Sequence, residues 1–142
     1  MILISACLSG IPCRYDGKAK TDPYLRKLVK EGKAVPVCPE VLGGLRIPRT
    51  PAEIQNGKVI AEDGRDVTDF YEKGVLEAWK ICQENQCDMA VLKEKSPACG
   101  VHRIHDGSFN GTTIPGQGKL TSFLKKNGIP CLSEYEYKEK SI

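Results

Sequence analysis

Apolar and polar residues follow two periods along this chain. Residues 2–6 (Ile2-Leu3-Ile4-Ser5-Ala6) form a short apolar run closed by Gly10 and Pro12, the pattern of a buried strand. Residues 34–37 read as a second strand, and Pro36, which has no N–H to give to a ladder, places it at a sheet edge. Residues 89–92 and 129–132 give a third and a fourth. Between them the spacing lengthens to three or four. Leu25, Leu28 and Val29 follow an Asp22-Pro23 helix start and precede Gly32, where that helix stops. Val67, Phe70, Tyr71, Gly74, Ala78, Ile81 and Cys82 predict one face of a helix over 66–84, and Leu120, Phe123 and Leu124 predict another over 118–126. Asn56-Gly57 predicts a small hairpin. Residues 38–51 and 94–116 read as loops, the second with a turn at Asp106-Gly107, and the charged tail from Glu134 reads as peripheral. Strands alternating with helices predict an α/β fold: a small Rossmann-like sandwich with a mainly parallel sheet of about four strands, helices on both faces, plus the hairpin.

A chain of 142 residues supports one core, so residues 1–142 are expected to form a single domain. The net charge of +3 is too mild to suggest DNA as a partner. No apolar run reaches membrane-spanning length, and the first residues lack the basic and apolar regions of a secretory leader. The expected setting is the cytoplasm and the expected partner a small molecule. There the seven cysteines, an odd number, fit metal binding or catalysis better than a disulfide framework.

Three of these cysteines follow strand ends. Ligands of open α/β sheets bind beyond the carboxyl ends of the strands. Cys7 follows the first strand, Cys38 the second and Cys99, shortly after, the third. Thiolates select zinc, copper(I) or iron–sulfur clusters. Zinc sites favour tight pairs such as C-x-x-C, and this chain has none. Clusters draw cysteines from separate segments, and three ligands would leave one iron open as a Lewis acid. The competing reading is scattered thiols acting as small hydrophobes. It suits Cys82 and Cys131 on apolar faces, and Cys87, which lies at the other end of the sheet. Cys13, in the same loop as Cys7, stands open as a fourth ligand.

Polar neighbours extend the pattern. Glu40 lies two residues past Cys38; a carboxyl in a partly dry pocket can serve as general acid or base, or simply cap a helix. Ser96 can donate to a ligand or hold the turn before Pro97. Gly43-Gly44 permits close backbone approach to a ligand. Arg14, Arg46 and Arg49 are candidates to contact a carbonyl-bearing or anionic substrate. His102 and His105, three apart in a strand-like stretch, point to opposite faces and do not share an ion. Gly116-Gln117-Gly118-Lys119 lacks the full phosphate-loop spacing and reads as a helix start.

Three segments together resemble a known family. Ser5-Ala6-Cys7-Leu8-x-Gly10 with Arg14-Tyr15-Asp16-Gly17 is similar to its first motif. Cys38-Pro39-Glu40-Val41-x-Gly43-Gly44-Leu45, with Pro48-Arg49-x-Pro51-Ala52-Glu53, is similar to its second. Lys95-Ser96-Pro97-Ala98-Cys99-Gly100, with Asp106-Gly107-Ser108-Phe109, is similar to its third. In this order they resemble the thiouracil desulfidases over nearly the whole chain. The resemblance implies a 4Fe-4S cluster held by Cys7, Cys38 and Cys99, with one iron not ligated by protein. It implies non-redox, hydrolase-like removal of sulfur from thiouracil or a related thiolated pyrimidine, giving uracil and hydrosulfide. It implies catalytic roles for Glu40 and Ser96. Ala98 departs from the family pattern, where many members carry a second serine. The alternative from another class is a non-catalytic iron–sulfur or metal-binding module, a redox sensor or sulfur carrier.

Overall fold

The structure is a computed structural model that describes residues 1–140, with side chains described through residue 137. Its centre is a four-stranded sheet of β1 (Ile2–Ser5), β2 (Ala34–Val37), β5 (Met89–Leu92) and β8 (Cys131–Ser133), in the order β2-β1-β5-β8 and parallel throughout. β2 lies at the edge, as Pro36 requires. Two hairpins stand apart from this sheet: β3 (Ala52–Gln55) with β4 (Lys58–Ala61), and β6 (Arg103–His105) with β7 (Thr113–Pro115). Asn56 and Gly57, at φ 49° and 81°, make the tight turn of the first, where both central residues must take positive φ.

Successive strand residues face opposite sides, and helices cover both. Ile4 and Val91 pack with Leu25 and Leu28 of α1 (Pro23–Lys30). Leu3, Ala90 and Leu92 pack with Tyr71, Val75 and Ala78 of α3 (Thr68–Glu84) and with Leu120 and Leu124 of α4 (Lys119–Lys126). The Rossmann-like sandwich expected from the periodicity is the fold observed. Asp22 caps α1, its Oδ1 accepting the N–H groups of Tyr24 and Leu25. Among the described residues no helix is long and apolar enough to cross a membrane.

Several details differ from the sequence expectation. The helix read from residue 66 starts at Thr68, with Asp66 accepting its N–H at 2.9 Å. Phe70, expected inward, is 42% exposed, because α3 turns its backbone rather than that ring toward α2 (Pro39–Leu42). The stretch 94–116 is not a bare loop but contains β6 and β7. The tail read as peripheral begins a helix, α5 (Glu134–Lys140), whose first residue is buried. Glu134 accepts the N–H of Glu94 at 2.8 Å and pairs with Lys93 Nζ at 3.1 Å, so its charge is matched inside the fold rather than by water.

Candidate active site

Strand order reverses at β1, since the chain moves outward to β2 and then crosses back to β5. That switch point is where a doubly wound sheet opens a crevice beyond its strand ends. A cavity of about 370 Å³ lies there. Cys7, Cys38 and Cys99 all line it, joined by Cys13, Glu40 and Ser96. The topology therefore brings together the three thiols, Glu40 and Ser96, as expected from the sequence. Arg14 and Arg49 line it too, whereas Arg46 is exposed and does not.

Each thiol is set by a different local device. Cys7 sits in a 3-10 turn over Ala6–Ser9, directly after β1. Cys38 is the residue before α2, whose first helical residue is Pro39. Cys99 ends a turn held by Ser96, whose Oγ accepts the N–H groups of Ala98 and Cys99, each at 3.1 Å. The Cys99 carbonyl accepts from Thr121 Oγ1 at 3.0 Å, tying the turn to α4. Glu94 fixes the same segment from the other side: its buried Oε1 accepts the N–H groups of Val101, His102 and Arg103 at 2.7, 2.9 and 3.0 Å.

The sulfurs are electrostatic neighbours. Burial pushes the Cys7 thiol up to about 11, helped by negative charge at Cys38, while Lys93 and Arg14 pull it down. Burial raises Cys99 well above the ordinary thiol value; a hydrogen bond from Ser5 opposes this, and charge at Cys7 and Cys38 adds to it. Cys38 goes the other way, to about 7, because the Cys13 thiol donates to it. Cys13 is raised by that same hydrogen bond and by burial. Of these thiols Cys38 is thus the first to ionise.

Glu40 is placed by two helices meeting without side chains between them. A Cβ on Gly74 of α3 would strike the carbonyl oxygen of Pro39, and one on Gly43 would strike that of Phe70. The close approach expected of Gly43 is to a helix, not to a ligand. It brings Glu40 Oε2 to 2.8 Å from the Tyr71 hydroxyl, which donates, and to 3.2 Å from Arg49 Nη2. Burial and the neighbouring Glu40 carboxylate hold Tyr71 far above the usual phenol range, so it remains a donor. Arg49 also donates to the Cys13 carbonyl at 3.0 Å. Glu40 does not cap its helix; its side chain belongs to this network.

Sequence reasoning missed Ser5 and Tyr71. Ser5 Oγ accepts Lys93 N–H at 2.9 Å and donates to Cys99. Its polarity at the end of an apolar strand was the available signal. Tyr71 falls on the apolar face of its helix in the periodicity, which hides its hydroxyl. His102 and His105 stand apart, as expected: His102 pairs with Glu136 at 2.6 Å, and His105 lines the cavity.

A doubly wound sheet with buried thiols, a carboxylate and arginines at its switch point defines an α/β protein built to hold a thiolate-bound group beside a polar pocket. The chain belongs to the 2-thiouracil desulfurase family, whose model matches residues 2–136. It is similar to the uncharacterized protein YbbK of Bacillus subtilis (strain 168), at 42% identity over 96% of this chain and 97% of that one. It is also similar to a solved structure of TudS, a 4Fe-4S-dependent thiouracil desulfidase: 44% identity, a TM-score of 0.92, and 97% of this chain against 93% of that one.

The residues fit such a cluster. Among the described residues no three His, Cys, Asp or Glu side chains converge on one metal ion. A four-iron cluster spreads its thiolates over several metal atoms and takes them from separate segments, as these thiols are arranged. Arg14, Arg49 and Lys93, each paired with a carboxylate, line the same cavity and place cationic groups beside the thiols.

Proposed function

We propose that this chain is an iron–sulfur-dependent desulfidase that removes sulfur from thiouracil or a related thiolated pyrimidine, giving uracil and hydrosulfide. The observation that carries the reading is the meeting of three strand-end thiols and Glu40 on one cavity, in a chain of the 2-thiouracil desulfurase family. Cys7, Cys38 and Cys99 are the ligands of a 4Fe-4S cluster with one iron not bound by protein. Cys13 serves Cys38 as a hydrogen-bond donor rather than as a fourth ligand. Bound there, the cluster supplies an electrophilic metal that polarises a C=S bond and makes sulfur a better leaving group.

The chain's own residues do the rest. Water adds to the ring carbon, and the overall change exchanges C=S and H₂O for C=O, hydrosulfide and one proton, with no electron transferred. Glu40 takes a proton from that water at its carboxylate and returns one to the departing sulfur. Tyr71 and Arg49 keep the carboxylate oriented through its Oε2. Ser96 uses its oxygen to hold the Cys99 turn, which leaves its hydroxyl proton to donate to the substrate or the released sulfide. A cavity of about 370 Å³ is at the small end of ligand pockets, and shared with a cluster it leaves room for no more than a single heterocycle. The seven unpaired thiols suit a reducing compartment, and we place the reaction in the cytoplasm.

Anaerobic reconstitution followed by incubation with 2-thiouracil tests this. The expected result is loss of the thiocarbonyl absorbance with stoichiometric sulfide. A brown, cluster-loaded protein that leaves 2-thiouracil intact would turn the reading into that of a non-catalytic cluster module.

A further inference from the structure

The end of β6 and the loop that follows it carry two features that the chemistry above does not use. His105 lines the cavity, and its Nδ1 is buried with no hydrogen-bond partner. Among the described residues the only other buried side-chain nitrogen or oxygen in that position is Arg49 Nε, also of the cavity wall. Buried polar atoms are nearly always paired within a fold, so an unpaired one on a residue that lines a cavity points to a ligand. Phe109 lines the same cavity and holds φ 58°, a conformation that bulky residues rarely adopt.

The protein fixes this loop with dedicated groups. Glu53 of β3 is buried, and its Oε1 accepts the N–H groups of Gly107 and Phe109 at 2.9 and 3.2 Å. Gln55, also of β3, donates to the Gly107 carbonyl at 2.7 Å. Gly107 has φ 94°, and a Cβ there would come within 2.9 Å of the Gln55 side chain and 3.0 Å of the Ile54 carbonyl. Asp106 Oδ1 accepts the Ser108 N–H at 2.9 Å. A buried carboxylate and a backbone strap thus maintain an unfavourable Phe109 backbone, the kind of strain found where position matters more than local stability.

We propose, building on the desulfidase reading, that residues 105–109 form the substrate-recognition wall. His105 Nδ1 accepts a hydrogen bond from a ring N–H of the thiolated pyrimidine, and Phe109 packs against the planar ring. Glu53 is a positioning residue that acts through the turn. The thiols come from the main sheet and the recognition wall from a separate hairpin, so the two tasks are divided between elements.

The test uses the reconstituted holoprotein and its His105→Ala, Phe109→Ala, Phe109→Tyr and Glu53→Gln variants. Visible spectra and melting curves accompany the kinetics, and uracil binding by calorimetry reads recognition without turnover. His105→Ala and Phe109→Ala are expected to raise KM and the uracil Kd by about tenfold, the effect of one lost stacking or pairing partner. Their kcat and cluster spectrum stay near wild type, and Phe109→Tyr restores affinity. Glu53→Gln raises KM in the same way. Thiouracil methylated at both ring nitrogens binds wild type poorly, and His105→Ala causes no further loss with it. Should Phe109→Ala lower stability, Phe109→Leu takes its place. Unchanged KM and uracil affinity in His105→Ala and Phe109→Ala, with turnover intact, would overturn the recognition wall. An inactive wild type whose uracil affinity still falls in these variants would sink the desulfidase reading and keep the wall.

Discussion

Glu40 illustrates how one side chain is made useful by its partners. Its Oε2 is held by Tyr71 at 2.8 Å and Arg49 at 3.2 Å, and none of the proposed ligand thiols depends on its charge for position. Glu40→Gln therefore separates chemistry from assembly. The variant is expected to keep its visible absorbance while kcat falls by roughly 10²–10⁴-fold, the usual contribution of a placed acid–base group. Turnover at the wild-type rate would remove Glu40 from proton transfer. Cys38 offers a second residue-level check, in the cluster-free protein. Its pKa of about 7 rests chiefly on the hydrogen bond from Cys13, and Cys7 ionises only near 11. Iodoacetamide at neutral pH should therefore label Cys38 well before Cys7, with a rate that rises with pH to half its maximum near 7. In Cys13→Ala the midpoint should move up toward the ordinary thiol value. Peptide mapping by mass spectrometry reads both outcomes, and preferential labelling of Cys7 would contradict the assigned order.

At the scale of elements, legibility followed local chemistry. The four core strands, three longer helices and the Asn56-Gly57 hairpin were written in periodicity and caps. The one-turn α2, the β6–β7 hairpin and α5 were not, because their short segments owe their form to tertiary partners. α2 exists because it rests on α3, and the glycines that allow it read in sequence as loop flexibility or ligand approach. Gly74 exposes the point. A Cβ there would strike the Pro39 carbonyl, so Gly74→Ala must lift α2 from α3 and draw Glu40 away from Tyr71. Overpacking of this kind costs about 1–3 kcal/mol. The expected variant melts at a lower temperature and turns over more slowly, with KM less affected than kcat. Melting and kinetics matching wild type would show that the two helices do not need their direct contact.

For the whole molecule, the site was legible because topology rather than any local motif assembles it. Three cysteines spread from residue 7 to residue 99 become neighbours once each is recognised as following a parallel strand. Ser5, Tyr71 and the Glu53 strap were hidden because their roles arise from partners tens of residues away. The same gathering of thiols gives the cluster-free protein a distinctive response to pH. Burial raises Cys7, Cys87 and Cys131 each to about 11 from an ordinary value of 9.0. A group whose folded pKa is raised stabilises the fold fully below its unfolded value and loses that contribution as pH climbs through the folded one. Those three thiols therefore favour the fold below pH 9.0 and oppose it progressively toward 11. Cys38, lowered to about 7, has the opposite sign, contributing above 9.0 and losing its share as pH falls through 7. The raised thiols outnumber the lowered one, since Cys13, Cys82 and Cys99 are raised as well, so the net slope is negative above 9.0. The melting temperature of the cluster-free protein is expected to fall as pH is raised from 9 to 11. With a cluster bound, Cys7, Cys38 and Cys99 are already thiolates, so the loaded protein sheds less stability over the same range and the gap between the two forms widens. Parallel thermal melts at several pH values measure that gap, and a gap that stays constant would mean that these thiols do not exchange their protons for the cluster.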